Sequence, residues 1–285
     1  MSKSTHFIGQ PLLGQLLSFI DQADVHRISK KHGGEHYVKH FDAWHHLVTM
    51  LYAIIMRFDS LREIQLSMTA ESRKLSHLGL TKIPKRSTLS DANVRRSEVI
   101  FGELYATLYD KHKGVLSSDS RNRGSTPSWL RKLKIMDSTT ISLFSNLVFK
   151  GVGRNPKRGK KKLISLLTND FEMPQQDIID IYRKRWMIET LFKQLKQNFP
   201  LRYFYGESAN AIKIQVWCTL IANLLLMLIK RSVRRSWSFS GLATMIRILM
   251  MYYVNYKSIL EYPEKDWDLM IEEVIRPPNH LSLFD

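Results

Sequence analysis

The segment Ile214 to Ile229, IQVWCTLIANLLLMLI, is apolar around its whole circumference except at Gln215, Thr219 and Asn223. A helix of that kind has to be covered on every side. Its 16 residues fall short of the roughly 20 needed to cross a bilayer. The expectation is a buried core helix with Lys213 and Lys230–Arg231 emerging at its ends, and no membrane as partner. His46 to Phe58, HLVTMLYAIIMRF, reads the same way. Two helices that must both be buried commit the chain to a large helical core, and the residues around them must supply its cover.

Those residues read mostly as helices. Pro11 to Ile20 places apolar residues at helical spacing. Ser60 with Glu63 three residues on forms a capping box for a helix beginning at Leu61. Pro84 blocks helix before it, and Ser87 is the expected cap of the next one. The stretch Leu61–Arg96 has the length and polarity of a helix-turn-helix unit, with Arg86, Arg95 and Arg96 turned to phosphate. Pro174 opens a long helix from about Gln175 to Asn198.

Charge narrows the function classes. Forty-three Lys and Arg against 26 Asp and Glu leave a formal +17, which points to a polyanionic partner, most often nucleic acid. Cys218 is the only cysteine, so a cysteine zinc site, an iron–sulfur cluster and a disulfide scaffold are excluded. The start, Met1 to Gln10, lacks the apolar run of a secretory signal, which gives a cytoplasmic expectation. His36 and His40 are four residues apart with His45–His46 following; without a third ligand in view they read as a polar surface. No Walker loop, dinucleotide fingerprint or nucleophile elbow occurs.

The middle of the chain changes character. Residues 114–130 are rich in Ser, Gly and Arg and suggest a domain edge. Leu133–Ile135 and Ile141–Phe144 read as strands flanking a turn at Asp137–Thr140. Lys150 to Lys162 holds seven cations in 13 residues, among them Lys157, Arg158, Lys160, Lys161 and Lys162, and its glycines and proline prevent regular structure. Leu163 to Thr168 reads as a further strand. The expected organisation is a helical N-terminal region over 1–115, a linker over 116–130, and a second domain over 131–285 that ends in helices.

On the helix after Pro174, at 100° per residue, Tyr182, Arg185, Glu189 and Lys196 fall at about 0°, −60°, −20° and −40°. They form one stripe beside the core-facing Ile181, Ile188, Phe192, Leu195 and Phe199. One acid among cations at the rim of a core suits a metal-bound phosphodiester: the carboxylate holds a cation, and Arg and Lys neutralise phosphate. An i,i+4 ion-pair helix explains the same spacing. Asp137, at the end of an apolar strand, is the best second carboxylate, although Asp also opens many turns.

Tyr182-x2-Arg185-x3-Glu189-x6-Lys196 resembles the Y-x2-R-x3-E-x6-K signature of the IS4 family of bacterial insertion-sequence transposases. Asp137-Ser-Thr-Thr is similar to that family's first catalytic aspartate. Arg86 to Asn93 and Phe199 to Gly206 resemble the segments before and after the catalytic domain. The resemblance runs from about residue 5 to 270. It implies an α+β, mostly helical chain: an N-terminal helical DNA-binding region, a ribonuclease-H-like catalytic domain of the DDE type, and C-terminal helices. It implies Mg²⁺ or Mn²⁺ held by Asp137 and Glu189, with Tyr182, Arg185 and Lys196 supporting phosphate. The implied partner is DNA at the ends of an insertion sequence, bound by a homodimer in the bacterial nucleoid.

The family's second aspartate, on a later strand in a D-R-x-Y-like context, has no counterpart here. Only 51 residues lie between Asp137 and Glu189, and Lys162 runs directly into Leu163. The resemblance therefore implies an internal deletion near 162/163 that shortens the catalytic domain, with Asp170 a poor substitute. Two-metal chemistry would then be impaired. The competing expectation is a catalytically inactive DNA-binding protein derived from a transposase.

Overall fold

The computed structural model describes residues 10–76, 78–80, 82–116 and 175–264. They form eleven helices and no strand. In chain order these are α1 Leu12–Leu17, α2 Gln22–Lys31, α3 Ala43–Met56, α4 Leu61–Ala70, α5 Ser72–Ser76, α6 Arg86–Arg95 and α7 Val99–Leu116. After the central stretch come α8 Gln175–Asn198, α9 Ala209–Ser232, α10 Phe239–Leu249 and α11 Tyr256–Glu261. The strands expected around Asp137 and at Leu163–Thr168, the expected linker from residue 117 to 130, the 150–162 basic loop and the 162/163 junction lie outside the described residues, while Leu116, the linker's expected first residue, ends α7.

The two apolar runs are the centre of the molecule. In α3, 12 of 14 residues are buried, and α9 buries Ile214, Cys218, Ile221, Ala222, Leu225 and Ile229 completely. α9 packs on both α7 and α3, and α10 packs on α9, α3 and α8. N-terminal and C-terminal helices thus share one core. By length and hydropathy α9 alone among the described helices is long and apolar enough to cross a membrane; in this fold it is the central core helix. Its three polar intruders are all bonded: Gln215 orders the chain after α8, Thr219 Oγ1 donates to the Gln215 carbonyl at 2.8 Å, and the Asn223 amide oxygen accepts from the Gln194 amide of α8 at 2.6 Å.

The ends of the described chain are tied together as well. Leu12 and Leu13 donate backbone N–H groups to the carbonyls of Tyr252 and Met250, both at 2.9 Å. The Gln15 amide donates to the Val254 carbonyl at 2.7 Å and accepts from the Tyr256 N–H at 3.2 Å. These bonds satisfy groups that a short helix leaves open at its start.

Helix termini follow the sequence signals with two exceptions, the first being α9, which starts at Ala209 under a Ser208 cap, one turn before the end expected at Lys213. Ser60 Oγ accepts from the Glu63 N–H, and the Glu63 carboxylate reaches back to the Asp59 N–H at 3.0 Å. α8 begins one residue after Pro174, as expected. α6, however, starts before Ser87, and no side chain of its own caps it. The side chain of Gln65, on α4, accepts from the Arg86 N–H at 3.0 Å instead. A cap supplied by a neighbouring helix leaves no local sequence pattern. α4 and α6 do pack together, but residues 71–85, including α5, separate them. The turn of a helix-turn-helix motif is about three or four residues, so the unit is a three-helix arrangement.

Candidate nucleic-acid interface

α8 buries Leu195 and partly buries Leu191 and Phe192 against the shared core, and Phe199, just past its end, is buried there too. The adjoining flank of the same turns opens on a cleft of about 910 Å³, whose apolar floor includes Phe192 and Phe199. Glu189, Lys193 and Lys196 of α8 line it, together with Arg57, Asp59, Arg202 and Tyr203. Four cations face two carboxylates there. Glu189 and Lys196 therefore share one cavity, as their common stripe predicts. Tyr182 and Arg185 lie on the same continuous helix, N-terminal to these residues.

The other two walls have separate origins. Arg57 and Asp59 come from the end of α3. Arg57 is left-handed, with φ 62°, and the Phe58 N–H returns to the Ala53 carbonyl at 3.1 Å. This is a Schellman closure, whose left-handed position is usually glycine. Arg202 and Tyr203 come from the turn between α8 and α9. Gln215 holds that turn from the core: it donates to the carbonyls of Pro200 and Tyr203 at 3.1 and 2.8 Å and accepts from the Tyr205 N–H at 2.9 Å.

Two further side chains lock the walls together. The Tyr205 hydroxyl donates to the Phe58 carbonyl at 2.8 Å, and its burial pushes the phenol's pKa up. Arg247 of α10 donates to the Ile55 carbonyl at 2.9 Å and to the Asn198 carbonyl at 3.4 Å. It thereby joins the ends of α3 and α8. Burial, then the nearby Arg57 charge, lower its pKa. The cations of the cleft thus stand on a scaffold fixed by buried hydrogen bonds, the condition for a preorganised site.

Sequence reasoning finds Glu189 and Lys196 but misses Arg57, Asp59, Lys193 and Arg202. Lys193 was legible: it falls at about +20° on the wheel of Tyr182, at the edge of the stripe. Arg57, Asp59 and Arg202 approach from other elements, and no linear pattern joins them to α8.

The second set of expected DNA contacts divides. Arg86 and Arg95 are exposed on α6, with Arg95 paired to Asp91 at 3.0 Å. Arg96 does not face solvent. It is 4% exposed, donates to the carbonyls of Gly34 and Phe41, and stacks its guanidinium on the Phe41 ring at 5.8 Å. α6 ends at Arg95, so the chain turns inward at the next residue. Asn210 of α9 fixes that turn, donating to the carbonyls of Asn93 and Arg96 at 2.8 and 2.7 Å and accepting from the Glu98 N–H at 3.0 Å. Asp137, Lys157, Arg158, Lys160, Lys161, Lys162 and Asp170 lie outside the described residues.

The histidines do not assemble. Among the described residues no three His, Cys, Asp or Glu side chains stand together as a metal site would require. His45 pairs with Asp42 at 2.6 Å. His46 is fully buried and bonds the Asn93 side chain at 2.8 Å.

Residues 8–81 match a domain family of unknown function, DUF4372. Over 105 residues the chain is 35% identical to a putative transposase, y4zB, of Sinorhizobium fredii, an alignment covering 34% of this chain and 28% of that protein. A putative transposase for insertion sequence element IS4SA of Synechocystis is 43% identical over 54 residues, 19% of this chain and 16% of its own length. A probable transposase for insertion sequence element IS5377 of Geobacillus stearothermophilus is 33% identical over 63 residues, 22% and 17% of the two chains. The chain is similar to insertion-sequence transposases. These matches span less than a third of each relative's length. No solved structure matches.

Proposed function

We propose that this chain is a DNA transposase of an insertion sequence, of the IS4 type, that binds the element's ends through the α8 cleft. One observation carries the reading. The signature residues Glu189 and Lys196 line a single cleft with Arg57, Lys193 and Arg202, so a motif inferred from spacing coincides with a cationic cavity. Such a surface neutralises phosphates and releases their counterions on binding. Tyr182 and Arg185 belong to the same reading through the signature they share with Glu189 and Lys196, and Arg86 and Arg95 add a second contact on α6. The similarity to named transposases supports DNA as the polyanion. A homodimer on the DNA and a cytoplasmic, nucleoid-associated location belong to the same reading.

Cleavage and strand transfer would draw on Mg²⁺ or Mn²⁺ held by Asp137 and Glu189 in a shortened ribonuclease-H-like domain. The described residues do not by themselves make that metal site, because no three donors cluster there. We derive from them only the binding and positioning of DNA. A catalytically inactive DNA-binding protein is the second reading, favoured by the direct run from Lys162 into Leu163 where the family carries its second aspartate.

Two measurements test this. Duplex affinity against salt should give a log–log slope of about −0.9 per neutralised phosphate; a flat slope would sink both DNA readings. Nicking of element-end DNA with Mg²⁺ or Mn²⁺ separates the two, and absent or feeble cleavage is the expected result. Robust cleavage lost in Glu189→Ala would establish an intact transposase and overturn the deletion.

A further inference from the structure

A second cleft, of about 620 Å³, lies between the 33–41 turn and α6. Lys39, Lys82, Lys85 and Arg95 line it, with Phe41 and Ile83 among its apolar surfaces. Asp91 is the one carboxylate on its wall, and it is paired to Arg95. Glu35 and Asp42 lie behind, where they act on Arg96.

At the apex of the turn stands Tyr37. It is 93% exposed and left-handed, with φ 56°. Packing does not explain it: a large aromatic residue is held in a conformation that disfavours it, with nearly all its surface in water. The turn beneath is nonetheless rigidly tied. Arg96 bonds the carbonyls of both Gly34 and Phe41. The Glu35 carboxylate accepts from Ser29 Oγ at 2.7 Å and from the Ala43 N–H at 3.0 Å. The tyrosine ring lies against the His36 ring, with centroids 5.0 Å apart.

We propose that this cleft binds single-stranded DNA, with an unpaired base stacked on Tyr37 and the flanking phosphates held by Lys39, Lys82 and Lys85. An exposed aromatic platform beside a cationic groove is the general design for single-strand binding. The cleft has room for a base or two. The inference rests on the DNA reading for the nature of the polyanion, but it uses residues outside the α8 cleft.

Anisotropy of a dye-labelled oligo-dT 12-mer tests it on the full chain. Tyr37→Ala should weaken binding about five- to tenfold, the loss of one stacked base, while Tyr37→Phe should keep wild-type affinity. Tyr262→Ala, an exposed tyrosine elsewhere, should leave affinity unchanged. A 2-aminopurine placed in the oligonucleotide should change its fluorescence with wild-type protein and not with Tyr37→Ala. Wild-type affinity in Tyr37→Ala overturns the proposal, as does an equal loss of duplex and single-strand binding in that variant. Salt-dependent duplex binding without any Tyr37-dependent single-strand binding sinks this proposal alone. Absence of all DNA binding sinks it together with the transposase reading.

Discussion

The turn from α6 to α7 and the cleft on α8 both carry cations beside carboxylates, and in the sequence they look alike. The fold puts them to opposite uses. At the α6–α7 turn, Arg96 and Asn210 spend their hydrogen bonds on backbone carbonyls inside the molecule. On α8, the same interior work falls to Gln215, Tyr205 and Arg247, one layer behind, and the cations are turned to the cavity. The difference teaches that a cation's role depends on which side of the core boundary its helix turn falls. Arg95 and Arg96 are neighbours in sequence, yet one is in water and the other is under the 33–41 turn.

The largest effect should come from the buried partner. Arg96→Ala removes charge-assisted bonds to two carbonyls and should cost about 3 kcal/mol, read as a lower urea midpoint. Arg95→Ala should stay within about 0.5 kcal/mol, since its ion pair with Asp91 is exposed. Equal effects for the two would break the contrast. Asn210→Ala leaves the carbonyls of Asn93 and Arg96 and the Glu98 N–H without their partner, and should cost about 2 kcal/mol by the same assay.

A pH titration sharpens it through adjacent histidines of opposite sign. Burial, then the Arg96 charge, lower the His46 pKa to about 3 against the bond to Asn93. His46 is therefore neutral in the fold, while the unfolded chain takes up its proton below about pH 6.5. Stability present above that pH is lost as pH falls toward 3, by about 2 kcal/mol at pH 5. The Asp42 hydrogen bond raises the His45 pKa against burial. Its contribution is complete below pH 6.5 and fades as pH rises through its folded value. Hence His46→Gln should flatten the acid loss below pH 6.5, whereas His45→Gln should remove the fade above pH 6.5 and lower the acid limb by a constant amount. Parallel curves for the two variants would contradict their placement.

At the α8 cleft the predictions concern DNA more than stability. Arg57→Gly relieves the left-handed conformation and should raise stability by about 1 kcal/mol while weakening duplex binding. A variant both more stable and equally tight would show that Arg57 has no part in binding. Smallest of all, Lys193→Ala should reduce the salt slope by about 1 and leave the unfolding midpoint within error.

Much of the helical body was legible because it follows from burial. The apolar runs at 46–58 and 214–229 could only be core, and the Ser60–Glu63 box and Pro174 placed helix starts correctly. The cap of α6 was not legible, because Gln65 reaches it across space. Within the site, Glu189 and Lys196 could be read from a 3.6-residue period along one helix. Arg57 and Arg202 could not, since they meet α8 only after α3, α9 and α10 have packed. The fate of Arg96 turned on one residue of helix length.

The shared core of α3, α7 and α9 has a topological consequence. Residues 117–174 are inserted, as far as that core is concerned, between α7 and α8, each of which is anchored in it. The cost of closing an inserted loop grows only logarithmically, by about 0.6 kcal/mol per doubling of its length. The helical body is therefore indifferent to how much chain is spliced in or out at that point. On the DNA-binding reading proposed above, a copy that lost part of its central stretch would keep the α8 cleft and the α6 surface, and would persist as a competitor of the intact element long after it had ceased to cut.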